Sequence, residues 1–274
     1  MLGYRHIFHA GNHADVLKHA VLALCLRALL RKDKPFVYID THAGAGMYDL
    51  QDARAGRTGE YLAGIAHWWD SGEPALEPLL ELVRAENPDG VLRRYPGSPA
   101  IAHRMLRPED RMVLLELHPA DHQALAGRFG RGPGLRVEQA DAFQRLKAFV
   151  PPQERRGLVL VDPPYELKSD YAKVVDLLSD AHRRWATGVY LLWFPVLSRL
   201  AAQRLVERLA DTGMPRQLCI QYLPHEGNPD ANLLGSGMLI VNPPFKLDAE
   251  LNALAAALAA GVAGRARVHW SVPE

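Results

Sequence analysis

The residues best suited to chemistry are Asp162-Pro163-Pro164-Tyr165, which follow the apolar run Gly157-Leu-Val-Leu-Val161. An unbroken run of this kind reads as a strand buried on both faces, the pattern of a parallel sheet. A proline just past the strand ends the ladder, because it has no N–H to donate. The rim that results carries a carboxylate, bare backbone carbonyls and an aromatic ring. Those parts can grip a flat heterocycle bearing an exocyclic amino group. The N6 nitrogen of adenine is a poor nucleophile, since its lone pair is delocalised into the ring. Asp162 and the Pro163 carbonyl, by accepting its two hydrogens, would favour a pyramidal nitrogen, with Tyr165 as a stacking surface. Asp162 could also take up the proton released as a methyl group arrives. The plain alternative is a strand-ending turn with an exposed Asp. A second apolar run, Met238–Val241, ends in the similar Asn242-Pro-Pro-Phe245, and only position in the fold can separate the two.

The elements that must position these residues can be read along the chain. A helix is predicted from about Asp15 to Lys32, with Val16, Leu17, Ala20 and Leu24 among the residues burying one broad side. Lys18 and His19 lie near its expected first turn, where cations oppose the helix dipole, so propensity does not explain them. The first strand, Phe36–Asp40, leads into Thr41-His42-Ala43-Gly44-Ala45-Gly46. Two glycines there allow close approach of a ligand at the switch point of a doubly wound sheet. The third glycine of a dinucleotide fingerprint is missing, and the absence of Gly-Lys-Ser/Thr excludes a P-loop. A nucleoside cofactor without a pyrophosphate, such as S-adenosyl-L-methionine, suits the pattern.

A ribose-binding acid is expected about 20 residues after such glycines. The next strand, Met112–Glu116, instead comes about seventy residues on, with Glu116 placed to take ribose hydroxyls. The gap predicts a small inserted helical subdomain over residues 50–95 that could wall one side of the site, within a main domain of residues 1–49 and 96–274. Ser98 is expected to cap a helix with Pro99 at its first position. A third strand, Leu135–Gln139, precedes Asp141, which either holds the amino group of the cofactor's adenine or caps the segment 142–149. Strand four is 157–161 and strand five begins near Gly188. Then come Gln217–Leu223, Met238–Val241 as a hairpin closing the sheet edge, a helix near 247–262 and a short strand near 267–270. Ligands of such sheets gather beyond strands one and four, which favours Asp162 over Asn242.

Bulk properties narrow the function classes. The 274 residues suit one large α/β domain, and a net charge of +1 means that any field attracting nucleic acid must be local. Arginine pairs at 93–94, 155–156 and 183–184 are candidates, though each also reads as a solvated face. Cys25 and Cys219 sit in apolar runs as core residues, which fits a reducing cytoplasm. No signal-peptide or membrane-spanning pattern is visible, and no membrane association is expected. His6, His9, His13, His19 and His42 lack the fixed offsets of a zinc site, so no metal is expected. An NAD-dependent oxidoreductase would leave Asp162-Pro-Pro-Tyr165 without a task, and a non-catalytic RNA-binding module would not need Asp162. Within methyl transfer, the rivals to RNA are adenine in DNA and a protein glutamine.

Assembled, the motifs resemble a known family. They are Tyr4-Arg-His6-x-Phe-His-Ala-Gly-Asn-His-Ala-Asp-Val-Leu-Lys18-His19, Asp-Thr-His42-Ala-Gly-Ala-Gly, Tyr-Pro-Gly-Ser98-Pro, Glu116-Leu-His-Pro and Asp162-Pro-Pro-Tyr. Together they look like the bacterial 23S ribosomal RNA adenine-N6 methyltransferase J family, over essentially the whole chain. The resemblance implies a monomeric, Rossmann-like class I methyltransferase acting on one adenine of 23S rRNA. It also implies cofactor contacts from His19, His42, Ser98, Glu116 and the pair Asp141-Ala142, whose second member is commonly Gly in the family. Asp162 would be the catalytic acceptor, and Tyr4, His6 and Lys18 would meet the target nucleotide.

Overall fold

The protein, a computed structural model, is described over residues 5–228, 233–262 and 264–273. Its strands are β1 (Val37–Asp40), β2 (Met47–Asp49), β3 (Arg94–Pro96), β4 (Arg111–Glu116), β5 (Leu135–Gln139), β6 (Gly157–Val161), β7 (Val189–Val196), β8 (Gln217–Leu223), β9 (Gly235–Val241) and β10 (Arg265–Val272). The α-helices are α1 (His13–Leu30), α2 (Ala53–Thr58), α3 (Ile65–Trp68), α4 (Glu77–Ala85), α5 (Ser98–Met105), α6 (Pro119–Phe129), α7 (Ala142–Arg145), α8 (Asp170–Arg184), α9 (Arg199–Ala210) and α10 (Leu247–Gly261). Eight strands form one sheet in the order β10-β8-β9-β7-β6-β1-β4-β5, while β2 and β3 pair separately. The chain runs outward from β1 through β4 to β5, then returns across β1 to β6 and β7, all parallel. This is the expected doubly wound, mixed α/β architecture, with its switch point between β1 and β6.

Alternation along the strands divides the core. Tyr38, Leu158 and Leu160 face one layer, which contains α1, α4, α5 and α10. Val37, Ile39, Val159 and Val161 face the other, which contains α8 and α9. A sheet covered on both faces needs the unbroken apolar runs seen at β6 and β7.

Three expectations change. Helix α1 begins at His13, where the Asn12 side chain accepts hydrogen bonds from the backbone N–H groups of Ala14 and Asp15. Lys18 and His19 therefore fall in the second turn, where the helix dipole no longer sets their cost. Nor is α1 buried on one side only: every residue from Ala14 to Leu26 is buried, because the helix is enclosed by the sheet, α4, α5 and α10. Strand β9 is not at the edge. It lies between β8 and β7, and β10 forms the edge.

The segment 50–95 carries α2, α3 and α4 between the paired strands β2 and β3. Its Ile65, Leu76, Leu79, Leu80 and Val83 join the same apolar cluster as α1.

Candidate active site

Asp162 is the first residue past β6, at the carboxyl end of the sheet beside β1. The register pairs Asp40 with Leu160, so the turn after β1 runs alongside Val161 and Asp162. The ammonium of Lys18 donates to Asp162 Oδ2 at 2.6 Å and also contacts Asp15 Oδ1 at 2.8 Å. Asp15 Oδ2 lies 2.9 Å from His6 Nε2 and accepts from the Gly11 backbone N–H at 2.9 Å. Burial opposes charge on Asp15, but His6 and Lys18 outweigh it and hold the carboxyl well below the usual range. Burial likewise opposes charge on Lys18, yet Asp15 and Asp162 raise its pKa above an ordinary lysine. A buried ammonium survives here because two carboxylates grip it.

The turn after β1 is fixed by its own side chains. The Thr41 hydroxyl donates to the Leu160 carbonyl at 2.9 Å, so its contact with His42 Nδ1 at 2.8 Å has the ring nitrogen as donor. Burial lowers the His42 pKa to about 4, so the ring is neutral and Nε2 is its acceptor atom. Gly44 has φ of +61°, and its N–H donates to Glu116 Oε2 at 2.8 Å. A Cβ there would lie 2.4 Å from the Tyr48 hydroxyl oxygen, so both the conformation and the space call for glycine. Glu116 Oε1 accepts from the His118 N–H at 2.6 Å, which fixes the plane of the carboxylate, and burial raises its pKa. Behind the turn, buried Asp40 accepts from the Tyr38 hydroxyl at 2.6 Å, and burial pushes its pKa up to about 6.

One cavity of about 460 Å³ collects the predicted residues His6, Lys18, His19, His42, Gly44, Ser98, Glu116, Asp141, Ala142, Asp162, Pro163 and Tyr165. Tyr4 lies outside the described residues. His19 is buried, its Nδ1 2.7 Å from the Tyr95 hydroxyl, and burial lowers its pKa to about 3. Its Nε2 has no hydrogen-bond partner among the described residues. Tyr165 holds a left-handed φ of +50°, costly for an aromatic residue, and its hydroxyl ties back to the Trp193 carbonyl at 2.9 Å.

Some readings need correction. Gly97, not Ser98, occupies the cap position of α5, so Pro99 is its second residue, and the Ser98 hydroxyl is turned toward Asp40. Asp141 does cap a helix, accepting from the Phe143 N–H at 2.9 Å, while it also lines the cavity. No residue of 50–95 lines the cavity. Glu60 instead braces it from behind, lying 3.0 Å from His9 Nδ1 and accepting from Asn12 Nδ2 at 2.9 Å. The sequence reading missed Asp15, Thr41 and Trp193, all of which line the cavity. For Asp15 a signal existed, since its spacing from Lys18 puts the two on one helix face.

The profile of the family described as ribosomal RNA large subunit methyltransferase D, RlmJ, matches residues 33–272. The chain belongs to the RlmJ family. It is 48% identical over 280 residues to ribosomal RNA large subunit methyltransferase J of Escherichia coli (strain K12), with all of both chains covered. The protein of that name from Haemophilus influenzae (strain ATCC 51907 / DSM 11121 / KW20 / Rd) is 41% identical over 281 residues, again with complete coverage. A crystal structure of a Legionella pneumophila (str. Philadelphia 1) protein superposes with a TM-score of 0.87 at 32% identity, covering 96% of this chain and 98% of that one. The resemblance drawn from the motifs is thus borne out.

Within this RlmJ-family fold, the twin tetrapeptides separate by strand direction. Strand β9 runs antiparallel to β7, so Asn242 emerges at the opposite end of the sheet from Asp162. Its side chain donates to the carbonyls of Ala186 and Gly188 at 2.8 and 2.9 Å and holds a left-handed turn, with φ of +54°. Asn242-Pro-Pro-Phe245 closes a turn. Asp162 thus lies at the switch point and Asn242 does not, and what separates them is the antiparallel course of β9 and not an edge position.

Proposed function

We propose that this chain transfers a methyl group from S-adenosyl-L-methionine to the exocyclic N6 of an adenine in 23S ribosomal RNA. The observation that carries the reading is Asp162, held by a buried ammonium at the sheet switch point and sharing a cavity with the Gly44 turn and Glu116. The cofactor, when bound, supplies a methyl group activated by a sulfonium.

The residues fit such a group. Gly44 keeps a left-handed φ with no side chain, since a Cβ there would meet the Tyr48 hydroxyl, so the turn presents bare backbone to the cavity. Glu116 keeps lone pairs for two ribose hydroxyls after its backbone bonds, and buried His19 Nε2 lacks a partner that the methionine end could provide. Ala142 begins a helix and is absent from the positive-φ residues, so its methyl does not block a backbone contact. Asp141 would accept from the cofactor's adenine amino group.

On the substrate side, Lys18 fixes Asp162 through Oδ2, leaving Oδ1 and the Pro163 carbonyl to accept the two N6 hydrogens. Tyr165, anchored through its hydroxyl, offers its ring as a stacking face. Asp162 takes the proton that N6 gives up. Alignment of nucleophile and methyl is worth about 7–11 kcal/mol of the barrier. His6 and Tyr4 would meet the nucleotide from the N-terminal segment. The chain would act as a monomer, as the family resemblance implies, and the two buried free cysteines suit the cytoplasm. No described helix is long and apolar enough to cross a membrane.

The test is incubation with tritiated S-adenosylmethionine and separate pools of rRNA, genomic DNA and protein, followed by digestion to nucleosides. Label should appear in rRNA as N6-methyladenosine, and Asp162→Asn should lower turnover about 10²- to 10⁴-fold. Label in DNA or protein, or as methylcytidine, would overturn the assignment.

A further inference from the structure

Exposed leucines are ordinary when scattered, but here they gather at one opening. Leu117, Leu167 and Leu197 are 43%, 59% and 52% exposed, yet each also lines the cavity, so each stands at its mouth. They follow β4, β6 and β7 respectively, and so form an apolar rim on the carboxyl ends of three parallel strands. The backbone beneath them is held. The Leu167 N–H donates to Asp170 Oδ2 at 3.2 Å, and its carbonyl accepts from the Asp170 N–H at 2.9 Å. Leu197 sits between the end of β7 and Ser198, which caps α9. These side chains are presented to solvent on a fixed frame.

The charge of the lining decides what can meet them. Among the described residues, seven carboxylates line the cavity against two amines, Lys18 and Lys173, and both amines are already paired with those carboxylates. A surface of that sign repels phosphate. A nucleic acid reaching this mouth must turn its bases inward and keep its backbone outside.

Resting on the reading that the cavity takes an RNA adenine, we propose that Leu167 and Leu197, with Leu117, form a wedge receiving the base faces of the nucleotides flanking the target. The substrate is then an RNA segment whose target and neighbouring bases are unpaired, or become so on binding. Leucine rims tolerate any base because they touch faces and not hydrogen-bonding edges, so the selection is for an unstacked shape.

The experiment uses a synthetic RNA spanning the methylated adenine identified by digestion, with 2-aminopurine replacing a neighbouring nucleotide. Wild-type protein should raise its fluorescence as the base unstacks. Leu167→Ser and Leu197→Ser should each reduce kcat/KM about tenfold, mainly through KM, with a smaller fluorescence rise. S-adenosylhomocysteine should bind both variants as tightly as wild type by calorimetry, which shows that they are folded. Leu62→Ser, equally exposed at 61% but away from the cavity, should match wild type in every measurement. If both rim variants stay within twofold of wild type with the full fluorescence rise, the wedge is refuted while the methyl-transfer reading stands. If wild-type protein methylates no RNA adenine, both fall.

Discussion

The contact between Asp15 and Lys18 offers the sharpest test of how the site is held together. Asp15 is 1% exposed and receives three donors: Lys18 on Oδ1, and His6 and Gly11 on Oδ2. Asp15→Asn keeps the shape but turns one oxygen into a donor. It must then face either the ammonium or the His6 and Gly11 pair with the wrong polarity, and Lys18 keeps only Asp162. Breaking a buried ion pair from one side costs about 3–5 kcal/mol. Since Asp162 remains, the low end applies, about 3 kcal/mol. Lys18→Met retains the aliphatic stem and leaves Asp15 without its ammonium, for a similar loss of about 3 kcal/mol. The double variant removes both charges and should lose about 3 kcal/mol, not 6, giving a coupling near 3 kcal/mol. Urea denaturation of the four proteins at pH 7.5 measures this. Each single variant should also melt about 5 °C lower, from the usual unfolding entropy per residue over 274 residues. If the two single losses add to within about 0.5 kcal/mol in the double variant, the carboxylate is not what stabilises the buried ammonium.

Other consequences can be measured directly. Gly44→Ala forces a left-handed φ on alanine and drives its Cβ into the Tyr48 hydroxyl, so S-adenosylhomocysteine affinity should drop at least tenfold by calorimetry. Adding Tyr48→Phe should recover part of that loss, because it removes the clashing oxygen but not the strain. His19 should make folding acid-sensitive. Its folded pKa of about 3 lies below the ordinary 6.5, so its contribution is intact above pH 6.5 and is lost as pH falls toward 3. At pH 5 the loss is about 2 kcal/mol, and the fall in urea stability from pH 7.5 to 5 should shrink by that amount in His19→Gln. Asp40 acts in the opposite sense, because its raised pKa of about 6 favours the fold on the acid side, so comparison with the variant is needed to isolate the histidine. Asn242→Asp should cost about 1 kcal/mol in denaturation, since a carboxylate cannot donate to two carbonyls. Methyl incorporation per folded molecule should not change, and a loss there would revive the second tetrapeptide as a catalytic element.

What the sequence disclosed follows from where local signals dominate. The apolar run 157–161, ended by prolines, specified both β6 and the rim that follows it, because burial on two faces and a missing N–H are visible in the residues themselves. The turn after Asp40 was legible for the same reason, as glycine marks the position that must take a left-handed φ. Helix α1 was less so. Its enclosure depends on α4, α5 and α10 packing around it, and no periodicity in residues 13–30 reports those partners. The order of β8, β9 and β10 was also hidden, because hairpins can close on either side of a sheet and hydrophobic alternation is blind to strand direction. For Asp15 the sequence carried only its i,i+3 spacing from Lys18, while the link through Lys18 to Asp162, 147 residues away, is visible only in the fold.

The segment between β2 and β3 lines no part of the cavity, yet it anchors residues that do. Glu60 secures His9 and Asn12, and the Gly11 carbonyl accepts the Ile65 N–H at 2.8 Å. There is no room for a side chain on Gly64, whose Cβ would come within 2.0 Å of the Gly11 oxygen. Shortening this stretch to a simple connector would strip α1 of the apolar cover given by Ile65, Leu76, Leu79, Leu80 and Val83, and the segment bearing His6 would lose its mooring. Lesions there would disturb the cavity from a distance, and Gly64 is the position from which a single methyl group could unseat His9 and Asn12.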